Sequence, residues 1–253
     1  MVLDQFNLSG KIAIVTGCSA GLGQGMACGL AEAGADIAGV DCVDFSETKE
    51  KIEGMGRKFL GIKADLLTIE PIGSIVDKAV ESFGRLGILV NNAGTTRRAE
   101  ALAFTEKEWD DVINVNLKSV FFLCQAAAKQ FVKQAQGGKI INIASMLAFQ
   151  GGVNVTAYTA SKSGVMGLTR ILANEWAAHN INVNAIAPGY MATRLNDPLL
   201  KDPKRNAEIL NRIPAGRWGT PDDLKGAVVF LASEASNYVH GYTIAVDGGW
   251  LSR

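Results

Sequence analysis

The chain has 253 residues, 48% of them hydrophobic, and its 25 lysines and arginines balance 25 aspartates and glutamates. That size suits one large α/β domain, since no Pro/Ser-rich linker or charge block divides it. Zero net charge, with no basic track interleaved with aromatics, excludes a nucleic-acid partner. The opening MVLDQFNLSGK has no basic segment followed by a long apolar one, and no apolar stretch reaches about 18 residues. The expectation is a soluble cytoplasmic protein with no membrane partner. Cys18, Cys28, Cys42 and Cys124 form no CxxC pair and only His179 and His240 accompany them, so reduced core thiols are expected and no metal.

In chain order, the β-rich run KIAIVTG leads into TGCSAGLG and the helix-like GQGMACGLAEAG, placing Gly17, Gly21 and Gly23 at a strand-to-helix turn. Glycines there let the backbone approach a pyrophosphate, which the helix N-terminus stabilises. The next run, DIAGVD, ends in Asp41, eighteen residues beyond Gly23. A carboxylate at that place bonds ribose hydroxyls and repels a 2′-phosphate. Neither CSA nor DCVDFSE offers a lysine or arginine to pair a phosphate, so NAD is expected over NADP. FLGIKAD ends in Asp65, which either faces the adenine or closes a turn, and LGILVNNAG carries Asn91 to Gly94 to the same sheet edge.

Thr105 caps TEKEWDDVINVN, with Glu108 at the capping-box position, and Asn116 ends that segment. An asparagine in a helix commonly bonds nearby backbone, the plainer reading of Asn116. GKIINIAS ends in Ser145, and thirteen residues later YTASKSGVMGLTRILANEW is read as a helix. Its periodicity sets Lys162 on the same face as Tyr158. A tyrosine has a pKa of about 10, so proton transfer near neutrality needs a fall of roughly 3 units, about 4 kcal/mol, which a fixed cation supplies. NINVNAIAPG follows, then YMATRLNDPLLKDPKRNAEILNRIPAGRW, a polar, irregular insertion (about 190–218) of the kind that contacts substrate. Thr220-Pro221 starts DDLKGAVVFLAS, and YTIAVDGG is the last β-rich run. Seven such runs alternating with helices predict a doubly wound parallel sheet covered on both faces.

TGCSAGLG, NNAG, Asn116 in NVNLKS, Ser145, Tyr158-x-x-x-Lys162 and PGYMAT stand in one order over nearly the whole chain. Together they resemble the short-chain dehydrogenase/reductase family. The resemblance implies one Rossmann-like domain over residues 1–253, nicotinamide-dependent redox chemistry and a homotetramer. It implies a catalytic set of Asn116, Ser145, Tyr158 and Lys162. Asn116 would anchor a water in a proton relay, and Lys162 would also hold the nicotinamide ribose. It implies cofactor contacts from Ser19, Leu22, Leu66, Asn92, Ala93, Gly94, Pro188, Gly189 and Thr193, besides Gly17, Gly21, Gly23, Asp41, Asp65, Tyr158 and Lys162.

Within the family, TTRRAEALAFTEKEWDDV, GGKIINIASMLAFQGG and AEILNRIPAGRWG are similar to sugar-acid dehydrogenases, implying an anionic sugar-acid substrate at Ser145 and Tyr158. Arg97 or Arg98 is suited to bind its carboxylate, with Arg194 or Arg217 as further candidates; each is equally readable as a surface charge. Met146, Gln150, Tyr190 and Trp218 either shape that pocket or pack the core. The alternatives are a gluconate 5-dehydrogenase, a 3-oxoacyl carrier-protein reductase, and a nicotinamide-sensing scaffold that does no chemistry. Asp41 and the neutral charge weigh against the carrier-protein reading, and the intact Ser145, Tyr158 and Lys162 against the scaffold.

Overall fold

All seven β-rich runs form strands: β1 (Ile12–Thr16), β2 (Asp36–Asp41), β3 (Phe59–Lys63), β4 (Ile88–Asn91), β5 (Gly138–Ile143), β6 (Ile181–Pro188) and β7 (Thr243–Val246). The computed structural model describes residues 1–253. The strands pair in the order β3-β2-β1-β4-β5-β6-β7, every pair parallel. The order turns back between β1 and β4. A crevice therefore opens beyond the carboxyl ends of those strands, where doubly wound sheets bind ligands.

Period-two alternation supplies both faces of the sheet. Ile14, Leu89 and Ile140 pack on one side with α3 (Ile72–Phe83), α5 (Ser119–Gln134) and α6 (Thr156–Trp176). Ala13, Val15, Ile88 and Ile141 pack on the other with α1 (Gly21–Glu32), α9 (Lys225–Ala232) and Ile52 of α2 (Ser46–Gly54). No helix is long and apolar enough to cross a membrane.

Four local expectations need correction. The segment from Thr105 begins as read: Glu108 N–H donates to Thr105 Oγ1 at 3.3 Å, and Thr105 N–H donates to Glu108 Oε2 at 3.0 Å. However, that helix, α4 (Glu106–Ile113), stops short of Asn116, and a π-helical turn, Asn114–Lys118, joins it to α5. The insertion is not irregular. It folds into α7 (Asp197–Leu200) and α8 (Pro203–Arg212), the latter capped by Asp202, whose Oδ1 accepts from Lys204 N–H and Arg205 N–H. Only Ile209 of α8 is buried, so the sequence there carries almost no apolar stripe. Finally, a 3₁₀ turn, Pro221–Leu224, precedes α9. Of the four free thiols Cys18, Cys28 and Cys124 are buried, but Cys42 is exposed at the crevice mouth rather than in the core.

Candidate active site

The crevice is a cleft of about 570 Å³ lined by the ends of β1, β2, β4, β5 and β6 and by the start of α1. Gly17 (φ 66°) carries the chain from β1 into the turn. A Cβ on it would lie 2.9 Å from Ala93 Cα, and one on Gly23 would lie 1.9 Å from the Gly17 carbonyl oxygen. The turn and the end of β4 are therefore pressed together with no room for side chains. Asn92 Nδ2 sews them, donating to the carbonyls of Thr16 (2.9 Å) and Gly17 (3.0 Å). Thr16 Oγ1, which the sequence reading did not single out, accepts from the amides of Asn92 and Ala93. Buried Thr48 holds the turn from outside, donating to the Cys18 carbonyl at 2.8 Å.

α1 begins after Ala20 with no side-chain cap, which leaves its first amides available to an anion. Gly21 faces Thr193 across the cleft, and Pro188 and Gly189 line the same wall. At the far end Asp41 accepts from Ser19 N–H at 3.0 Å and Cys42 N–H at 2.8 Å, so both carboxylate oxygens are held in place. Ser19 does not line the cleft itself. Lys63 is the β3 register partner of Asp41 but lies outside the cleft lining. Asp65 accepts from Leu67 N–H, the turn alternative, while Asp65 and Leu66 both reach the cleft. Tight glycines, an uncapped helix start and a clamped carboxylate fit a dinucleotide's pyrophosphate and ribose.

Ser145, Tyr158 and Lys162 meet at the other end of the cleft. One turn of α6 sets Lys162 Nζ 5.8 Å from the centroid of the Tyr158 ring. Lys162 is 4% exposed and donates to the Ile143 carbonyl at 2.6 Å. Burial pushes it down to about 8. The expected fall in the phenol is not what this site does. Burial raises Tyr158 above its ordinary value, and the neighbouring Ser145 hydroxyl and Arg98 guanidinium only partly oppose that rise. The phenol is therefore kept as an acid, with Lys162 over its ring and bonded to backbone.

Asn116 follows the plainer reading. Fully buried in the π turn, it donates to the Thr95 carbonyl at 2.9 Å, accepts from Thr95 N–H at 2.8 Å and donates to Ser161 Oγ at 3.2 Å. It clamps the segment after NNAG and does not line the cleft. A Cβ on Gly94 would sit 3.4 Å from Asn116 Oδ1 and 3.7 Å from Lys162 Nζ, so Gly94 is the junction between that clamp and the lysine.

The arginines separate. Arg97 is tied to Asp111 at 3.1 Å and to Thr95 Oγ1 at 3.0 Å. Arg217 is paired to both oxygens of Asp223 at 2.7 Å, away from the cleft. Arg98, exposed and without a hydrogen-bonding partner, is the guanidinium felt by the Tyr158 phenol. Exposed Arg194 lines the opposite wall. Met146, Tyr190 and Trp218 take the packing alternative: with Ile209 and Trp250 they form an aromatic seat under α8, Tyr190 lying 5.4 Å from Trp218 and 4.7 Å from Trp250. Gln150 accepts from Arg212 of α8 at 3.1 Å. No group of three or more His, Cys, Asp or Glu residues is placed to hold a metal.

Residues 17–251 match a family model described as enoyl-(acyl carrier protein) reductase. The chain is 65% identical to the 2-dehydro-3-deoxy-D-gluconate 5-dehydrogenase of Escherichia coli strain K12, with complete coverage of both proteins. It is 64% identical, again with complete coverage, to the protein of that name from Dickeya dadantii strain 3937. A solved gluconate 5-dehydrogenase from Burkholderia cenocepacia J2315, in complex with NADP and tartrate, superposes with a TM-score of 0.94 at 38% identity, both chains covered completely.

Proposed function

The chain belongs to the short-chain dehydrogenase/reductase family and is an oxidoreductase acting on a CH–OH group, and from that premise we propose that it reversibly reduces 2,5-diketo-3-deoxygluconate to 2-keto-3-deoxygluconate with NADH. The observation that carries the proton chemistry is the half-buried Tyr158 in the cleft with Ser145 and Lys162, its phenol raised above its ordinary value and so held protonated at neutral pH. The bound nicotinamide supplies or accepts the hydride. In reduction Tyr158 gives its proton to the ketone oxygen while Ser145 Oγ–H donates a hydrogen bond to the same oxygen, lowering the cost of the charge that develops there. The resulting phenolate lies beside the Lys162 and Arg98 cations until solvent returns the proton. In oxidation the phenolate removes the alcohol proton.

The sugar-acid reading rests on the relatives' names and on Arg98, which has no carboxylate of its own and whose charge is felt by the Tyr158 phenol, although it is Arg97, tied to Asp111, that lines the cleft itself. Arg98→Ala is expected to raise KM for the keto acid about tenfold, the loss of one charge-assisted contact, and to leave a neutral diketone unaffected. NADH absorbance with both substrates checks it; equal effects on the two would remove Arg98 from carboxylate recognition.

NAD is favoured because Asp41, fixed by two amides, directs a carboxylate at the adenosine ribose, where a 2′-phosphate meets like charge. The solved relative with NADP sets the test. Asp41→Ala is expected to shift the ratio of NADH to NADPH kcat/KM toward NADPH by roughly 100-fold, because the like charge that a 2′-phosphate would meet is then gone. An unchanged ratio would sink the role given to Asp41. A homotetramer belongs to the same reading: β7 is an edge strand, and Tyr238 and Tyr242 beside it stand exposed.

A further inference from the structure

A second cavity lies at the opposite, amino-terminal edge of the sheet. It measures about 360 Å³, and most of its lining is polar. Three cations from separate elements line it: Lys11 before β1, Arg85 before β4 and Lys139 in β5. Glu234 is the single acid there, and none of the three cations is in an ion pair.

Lys139 is held by neutral oxygens, donating to Asn182 Oδ1 at 3.0 Å and Asn237 Oδ1 at 2.7 Å. Asn182 in turn donates through Nδ2 to the carbonyls of Asn237 and Val239 at 3.0 Å, and that nitrogen lies 3.1 Å from His240 Nε2. The ammonium is thus positioned without being neutralised. Arg85 Nε is buried with no hydrogen-bonding partner. Lys11 makes no side-chain hydrogen bond, and burial foremost, with the Lys11 charge adding to it and Glu234 opposing it, pushes Lys139 down to about 8.

Like charges gathered in a polar recess with an orphaned guanidinium N–H are under-satisfied. Two lysines and an arginine against one carboxylate leave an excess of two positive charges. A phosphate group, a dianion with three strong acceptor oxygens at neutral pH, matches that excess and the available donors. The volume exceeds what one ion needs, since a liquid water occupies about 30 Å³, so a phosphate ester also fits.

We propose that this cavity binds a phosphate dianion, free or esterified to a small polar molecule, through Lys11, Arg85 and Lys139. Lys139 and Ser145 lie at opposite ends of β5, six residues or about 20 Å apart, so the site is separate from the catalytic cleft.

Isothermal titration of the full chain with inorganic phosphate and, separately, glucose 6-phosphate tests this at constant ionic strength in chloride. The expected result is one saturable site whose affinity falls at least tenfold in both Lys11→Gln and Arg85→Gln, with thermal melting in chloride unchanged. Lys139 is left intact because it also holds Asn182 and Asn237. Tighter binding of the ester identifies a phosphorylated metabolite as the ligand, and binding of inorganic phosphate alone identifies the free ion. Absence of saturable binding by either, or binding that survives both substitutions, as phosphate seated at the glycine turn would, overturns the proposal.

Discussion

Tyr158→Phe is expected to lower turnover roughly 1000-fold, within the range of a lost general acid, while NADH binds as tightly as before. The substitution removes one hydroxyl and keeps the ring beneath Lys162, so the cleft keeps its shape. Tryptophan quenching by NADH measures binding independently of chemistry. A variant that kept more than about a tenth of the native rate would remove the phenol from the proton path. The pH profile separates the two groups at this end of the cleft. The raised Tyr158 remains protonated through the neutral range. Lys162, lowered to about 8, carries its charge below that pH and loses it above. Reduction is therefore expected to be flat from about pH 6 and to fall through a limb near 8. Lys162→Arg, whose side chain keeps its charge, is expected to erase that limb even where it slows the enzyme.

How much of this was legible in the sequence depends on how local the signal was. The strands, the capping box at Thr105 and the glycine turn are short-range patterns, and each appeared where its residues placed it. Ser145 and Tyr158 meet because β5 ends and α6 begins at the same sheet edge, which a parallel topology dictates once the elements are assigned. What spacing could not supply was the sign of the phenol's shift. A lysine four residues along a helix says that a cation is near, but burial and the Ile143 carbonyl decide where its charge is spent. Nor did it supply the partners of long side chains. Arg97 and Arg98 are adjacent in sequence, yet Asp111 of α4 takes only the first. Lys63 was missed for the same reason: its nearness to Asp41 is a ladder register between β2 and β3, twenty-two residues apart along the chain. Helix α8 escaped because one buried isoleucine is too little apolar signal. Its Asp202-Pro203 start, a cap followed by a proline at the first position, was the clue available.

Gly23→Ala is expected to weaken NADH binding at least 100-fold through a single methyl group. In the present packing that carbon would stand 1.9 Å from the Gly17 carbonyl oxygen and 2.5 Å from Asn92 Nδ2. Neither neighbour yields independently: Gly17 N–H is bonded to the Val40 carbonyl of β2, and Asn92 Nδ2 holds the Thr16 and Gly17 carbonyls. The clash must therefore be relieved by moving the turn or the start of α1, and both carry the amides that receive a pyrophosphate. Gly21→Ala provides the contrast. Gly21 has φ 58°, which an alanine adopts at a cost of about 1 kcal/mol, but its added Cβ would find Thr193 Cγ2 at an ordinary 3.7 Å. Backbone strain alone thus predicts a milder loss, about tenfold or less in NADH affinity, whereas steric closure of the turn predicts the larger one at Gly23. Binding titrations on the two variants, with circular dichroism to establish that each is folded, measure the difference. Equal losses would mean that the turn fails through strain in general, and the close approach of Gly17, Gly23 and Asn92 would no longer explain how the cofactor site is built.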